Sequence, residues 1–101
     1  MHIFYSGIGG AGIGPLAMVA KQAGHQISGS DKQDSSYIGY LRSQGIDNIN
    51  IGQTEANIAA VHAKAPIDWV VYSSAVEKEQ AQSAELEFAK QNGIKATKRD
   101  E

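Results

Sequence analysis

The stretch Ile3-Phe4-Tyr5-Ser6-Gly7-Ile8-Gly9-Gly10-Ala11-Gly12-Ile13-Gly14 decides the fold. A short apolar run enters a turn dense in glycine, and Pro15-Leu16-Ala17-Met18-Val19-Ala20 then reads as a helix. Strand, glycine-rich turn and helix in that order open a dinucleotide-type α/β fold. Gly7, Gly9 and Gly12 fit the spacing G-x-G-x-x-G, and Gly10 and Gly14 add room beyond it. Glycine suits such a turn because the backbone takes positive φ and approaches a phosphate with no Cβ in the way. The helix behind the turn aims unpaired N–H groups and the positive end of its dipole at the anion. The same spacing also occurs in tight turns that only pack a helix on a strand. Its position directly after a strand favours a diphosphate cradle.

Working outward, a helix is predicted over residues 11–23, with Ile13, Leu16, Ala17, Ala20 and Ala23 on one stripe. Pro15 is tolerated only in a first turn, and Gly24 ends the helix. A second strand over 25–31 closes on Asp31, near the spacing at which a carboxylate after such a loop bonds a ribose hydroxyl. Asp31 equally suits the capping of a turn. Ser28 and Ser30 flank Gly29, whose missing side chain points to close approach by a neighbour.

Serine caps a second helix running from 35 or 36 to 44, which Gly45 stops. A third strand follows over 46–51, then a thin-faced helix over 55–62 capped by Thr54. Residues 68–74, entered after Pro66, form a continuous apolar run that reads as a buried strand. The run ends in Ser73-Ser74-Ala75, where a central strand opens onto the sheet's carboxyl edge. A fourth helix over 80–92 carries Ala81, Ala84, Phe88 and Ala89, and a fifth strand over 94–97 leads to Lys98-Arg99-Asp100-Glu101. The β-α rhythm with short connections implies one Rossmann-like domain over 1–101: a parallel sheet of about five strands with helices on both faces. The rhythm stops on a strand and charged residues with no closing helix, so the chain reads as cut rather than finished.

Composition narrows the function classes. At 101 residues the chain suffices for one compact domain. Its 42% hydrophobic and 20% charged residues are those of a globular protein. A net charge of −2 offers no general field for nucleic acid or an anionic membrane, and scattered lysines form no patch. No apolar run reaches the roughly 20 residues of a membrane span. The absence of cysteine excludes disulfides and thiolate zinc sites and fits a cytoplasmic setting. His2, His25 and His62 stand apart and are read as structural or solvated, and Trp69 and Tyr72 as core packing. No catalytic residue and no metal ligand is assigned.

Together these motifs resemble a known family. The opening from Ile3 to Ile13 resembles that of the Mur ligases, closest to their alanine-adding members. Ser28-Gly29-Ser30-Asp31 matches the family's second-strand ending, and Tyr72-Ser73-Ser74-Ala75-Val76 resembles its S-S-A-I/V segment. Lys98-Arg99-Asp100-Glu101 looks like its R-A-E segment before the ATP domain. The resemblance implies an N-terminal domain that binds the UDP part of UDP-N-acetylmuramate. On it, Gly7, Gly9, Gly10, Ala11, Gly12 and Ile13 hold the diphosphate, Ser30 and Asp31 lie beside the uridine, and Ser73, Ser74 and Arg99 line the far side. Helix-terminus amides with an arginine suit a ligand bearing a diphosphate and a carboxylate.

The family often has His where Gln53 stands, and an Asn-Pro-Glu-like stretch where this chain has Glu77-Lys78-Glu79-Gln80. The branch that recycles a murein tripeptide shares the architecture, but the small residues Gly9-Gly10-Ala11-Gly12 favour the alanine-adding branch. The family activates the substrate carboxylate with ATP and Mg to an acyl phosphate, which an amine attacks. No G-x-x-x-x-G-K-[ST] loop occurs in this chain, so that chemistry is expected in central and C-terminal domains beyond it, and this domain alone is expected to bind without catalysing. An NAD-binding domain, with Asp31 on the adenine ribose, would use the same glycines; a purely packing role for them is the third reading.

Overall fold

A computed structural model describes residues 1–10, 13–72 and 80–98. The elements are β1 (His2–Ser6), α1 (Gly14–Gln22), β2 (Gln26–Asp31), α2 (Ser36–Ser43), β3 (Ile49–Ile51), α3 (Glu55–Lys64), β4 (Trp69–Tyr72), α4 (Gln80–Gln91) and β5 (Lys95–Lys98). The strands form one sheet in the order β3-β2-β1-β4-β5. Every pairing is parallel, with Phe4 opposite Ser28 on one side and Val70 on the other. This is the α/β Rossmann-like arrangement that the β-α rhythm predicts.

Alternation along the strands sends side chains to two separate cores. On one face, Ile3, Tyr5, Ile27 and Val71 pack under Ala17 of α1 and Ile38 and Leu41 of α2. On the other, Phe4 and Val70 pack under Ile58 and Val61 of α3 and Phe88 and Ala89 of α4. With both faces covered, β1 is buried at all five positions, as parallel strands require.

Local signals set the element ends. Ser35 caps α2 by accepting the N–H of Ile38, and Thr54 caps α3 by accepting that of Asn57. Gly24, Gly45 and Gly93 take positive φ just past α1, α2 and α4. Most boundaries fall within two residues of the sequence expectation, and two starts move by three. Helix α1 begins at Gly14, where Pro15 falls in the first turn. Strand β3 is only three residues, because Ile46 closes the end of α2 with its N–H on the Leu41 carbonyl and is buried in the core. His2, predicted structural or solvated, is buried: Nδ1 donates to the Ala65 carbonyl at 2.9 Å and Nε2 meets the Ser28 hydroxyl at 2.7 Å. Half-buried Trp69 donates from Nε1 to Thr97 Oγ1 at 2.8 Å.

Candidate functional site

The chain order reverses between β1, whose connection leads out to β2 and β3, and β4, which lies on its other side. In open α/β sheets the crevice at such a switch point, outside the carboxyl ends of the strands, is where ligands bind. Ser6 ends β1 there with Gly7 directly after it, and Tyr72 ends β4 beside them, in register with Ser6. The glycine loop hangs at this edge.

Its attachment is internal. The Ser30 carbonyl accepts the N–H groups of Gly7 at 2.8 Å and Ile8 at 2.9 Å. The Asp31 carboxylate accepts the N–H of Gly9 at 2.9 Å through Oδ2 and that of Lys32 at 2.8 Å through Oδ1. Gly10 N–H returns to the Gly7 carbonyl, and Ile13 N–H to that of Gly10. Each described amide from Gly7 to Gly10, and that of Ile13, thus has a partner within the chain. Ala11 and Gly12 of the loop, Ser73 and Ser74 after β4, and Arg99 lie outside the described residues.

The glycines serve packing as well as backbone shape. Gly7 alone among the described loop glycines takes a positive φ, +77°. A Cβ on Gly9 would meet Asp31 Oδ2 at 2.6 Å and the Ile38 side chain at 3.0 Å, so its bareness makes room for the carboxylate and α2. A Cβ on Gly14 would run into the ring of Tyr37. Gly29 is bare because a Cβ there would meet the Tyr5 carbonyl oxygen of neighbouring β1 at 2.7 Å and Ile8 Cδ1 of the glycine loop at 2.8 Å.

Beneath the loop, on the α3/α4 side of the sheet, is a buried polar cluster. Ser6 Oγ donates to Glu85 Oε1 at 2.7 Å, and Ser30 Oγ donates to Glu85 Oε2 at 2.6 Å. Ser6, Ser30 and Glu85 are fully buried, and Gln53 is nearly so. Gln53 Nε2 stands 3.4 Å from Ser6 Oγ and 3.5 Å from both Ser30 Oγ and Glu85 Oε1, while its Oε1 has no partner among the described residues. Burial pushes the Glu85 carboxyl up to about 7, opposed by the hydrogen bonds from Ser30 and Ser6 that favour the ionised form. The negative charge of Asp31 adds to the rise, and Gln53 counters it.

Of the residues read from sequence, the structure brings Gly7, Gly9, Gly10, Ile13, Ser30 and Asp31 to one edge of the sheet. Ser30 turns its hydroxyl inward to Glu85, and Asp31 holds the loop. Glu85 was missed. Its one signal is position: it falls on the Ala81-Ala84-Phe88-Ala89 stripe of α4, a carboxylate where an apolar residue belongs.

The chain matches the model of the Mur ligase family, catalytic domain, over residues 2–101. It is 36% identical over 100 residues to the UDP-N-acetylmuramate–L-alanine ligase of Frankia casuarinae, covering 99% of this chain and 19% of that ligase. Among solved structures, the UDP-N-acetylmuramate–alanine ligase of Thermotoga maritima shares the fold with a TM-score of 0.81 at 24% identity, over 98% of this chain and 21% of that one. The murein peptide ligase of Psychrobacter arcticus superposes with a TM-score of 0.76 at 30% identity, over 96% of this chain and 18% of that one. The chain spans about a fifth of the length of these relatives. With the family model matched along nearly its whole length, the chain belongs to the Mur ligase family.

Proposed function

We propose that this domain binds the UDP part of UDP-N-acetylmuramate in the crevice between the glycine loop and the end of β4. It does so as the substrate-binding part of an ATP-dependent ligase that joins L-alanine to that sugar nucleotide in peptidoglycan biosynthesis, in the cytoplasm. The observation that carries the reading is a glycine loop at the carboxyl end of central strand β1, beside the switch point, in a chain of this family. The names of the Frankia casuarinae and Thermotoga maritima relatives support the choice of substrate. The likeness to the Psychrobacter arcticus enzyme keeps the tripeptide-adding reaction as a second reading, with the same UDP-sugar half.

In this proposal the loop from Gly7 to Ile13 holds the diphosphate, and Asp31 stands at the edge where the uridine ribose would lie. Ser30 supports the loop from below, and Ser73, Ser74 and Arg99 close the far side. A diphosphate that uses the Gly9 N–H must take it from Asp31. No group of three His, Asp or Glu able to hold a metal ion occurs among the described residues, and the sequence has no G-x-x-x-x-G-K-[ST] loop. On this reading ATP and magnesium are held by the rest of the ligase, and no step through them is derived for this domain.

Calorimetric titration with UDP-N-acetylmuramate, UDP and NADH tests the reading. Heat from the two uridine compounds with NADH silent is the expected result. Binding of NADH alone, or of none of the three, refutes it for this chain.

A further inference from the structure

The glycine loop is hinged on two strand ends. It leaves β1 directly after Ser6, and its first two amides hang on the carbonyl of Ser30 in β2. The next residue, Asp31, takes the amide of Gly9. Both hinge serines turn their hydroxyls to the same side chain, Glu85, one to each carboxylate oxygen, at 2.7 and 2.6 Å. Glu85 comes from α4, outside the segments that form the loop, and is fully buried. A carboxylate placed under the sheet for packing alone would be a poor choice, since an apolar residue would fill the position without a desolvation cost. Its two-armed bridge instead clamps the carboxyl ends of β1 and β2 at a fixed spacing.

We infer that Glu85 is a positioning residue for the glycine loop, holding Ser6 and Ser30 so that the start of the loop, whose Gly7 and Ile8 amides hang on the Ser30 carbonyl, keeps its place at the sheet edge. It touches no ligand itself. The inference rests on the proposed function only where affinity is the readout. The backbone readout stands without it.

The test is amide hydrogen exchange by NMR on the full chain without ligand, for wild type, Glu85→Ala, Glu85→Gln and, as a control for general destabilisation, Ile58→Val. Ile58 is fully buried in the core of the same face and takes no part in the clamp. Loss of both arms in Glu85→Ala should speed exchange of the Gly7 and Ile8 amides by roughly tenfold or more relative to Ile58→Val. Glu85→Gln keeps the volume, one acceptor for one serine and a donor for the other, and should restore exchange to within about twofold of wild type. If Glu85→Ala does not fold, the pair Ser6→Ala and Ser30→Ala removes the same arms from the other side and carries the same expectation.

Calorimetry with UDP-N-acetylmuramate is the second readout. Affinity should fall about tenfold in Glu85→Ala and recover in Glu85→Gln. Unchanged exchange at Gly7 and Ile8, exchange no faster than in Ile58→Val, or faster exchange with undiminished affinity would each overturn the role. If wild type binds no UDP-N-acetylmuramate, the functional reading fails, and exchange alone decides the role of Glu85.

Discussion

Glu85 makes the stability of this domain fall as pH rises through neutrality, against the usual direction for a carboxylate. A carboxyl that titrates near 4.5 in the unfolded chain and about 7 when folded is held protonated by the native state across that interval. The folded state binds more protons there, so the unfolding free energy drops with increasing pH. The contribution is fully present below about 4.5 and lost once pH passes about 7. Each tenfold gain in proton affinity on folding is worth about 1.4 kcal/mol, so the full rise amounts to about 3 kcal/mol. Against a total of about 5–15 kcal/mol for a domain, that is a large share. For a chain of this size it corresponds to a melting-temperature change on the order of 10–20 °C.

Urea titrations at pH 5, 6, 7 and 8 on wild type and Glu85→Gln isolate the effect, since the glutamine cannot titrate and every other group is shared. The stability difference, wild type minus variant, should decline by about 2–3 kcal/mol from the lowest to the highest pH. Two curves that stay parallel would show that folding leaves the proton affinity of Glu85 unchanged, and would refute the account of its burial. Asp31→Asn in the wild-type background should make the decline smaller, because the Asp31 charge contributes to the raised proton affinity.

The remaining expectations concern packing. Gly9→Val should cost about 1–3 kcal/mol, because its Cβ would displace the Asp31 carboxylate and Ile38. It should also abolish binding of UDP-N-acetylmuramate in calorimetry; a folded variant that binds normally would remove the loop from the site. Phe4→Ala, at a fully buried position in the cluster with Ile58, Val70 and Phe88, should cost about 3–5 kcal/mol. Thermal melts followed by circular dichroism would then show a much lowered or absent transition, and a near-normal melt would contradict the second core.

The fold was legible because its determinants are local. The helix stripes, the capping Ser35 and Thr54, and the stop glycines Gly24, Gly45 and Gly93 each act within a few residues of themselves. The glycine loop was legible for the same reason, since spacing and a preceding strand are sequence properties. What each glycine accommodates was not. Gly9 reads as room for a phosphate, yet the atoms beside it belong to Asp31 and Ile38, 22 residues away or more. Glu85 was the least legible, because its partners Ser30 and Ser6 lie 55 and 79 residues earlier in the chain. A charged residue on a helix is by default assigned to water, and only the meeting of β1, β2 and α4 in space reverses that. Gln53 was singled out for departing from a family pattern, and its place in the buried cluster came only with the fold.

The all-parallel order has a consequence for how the polypeptide is made. β1 sits in the middle of the sheet, yet it is synthesised long before β4, which supplies the pairing on one of its two edges. At about 5–20 residues per second, the ribosome leaves that edge without its partner for several seconds. During this interval five residues destined for complete burial present open backbone donors and acceptors to the surroundings. Emergence of Trp69–Tyr72 ends the exposure. The nascent domain is therefore most open to mispairing and to capture by holdase chaperones until β4 has been made.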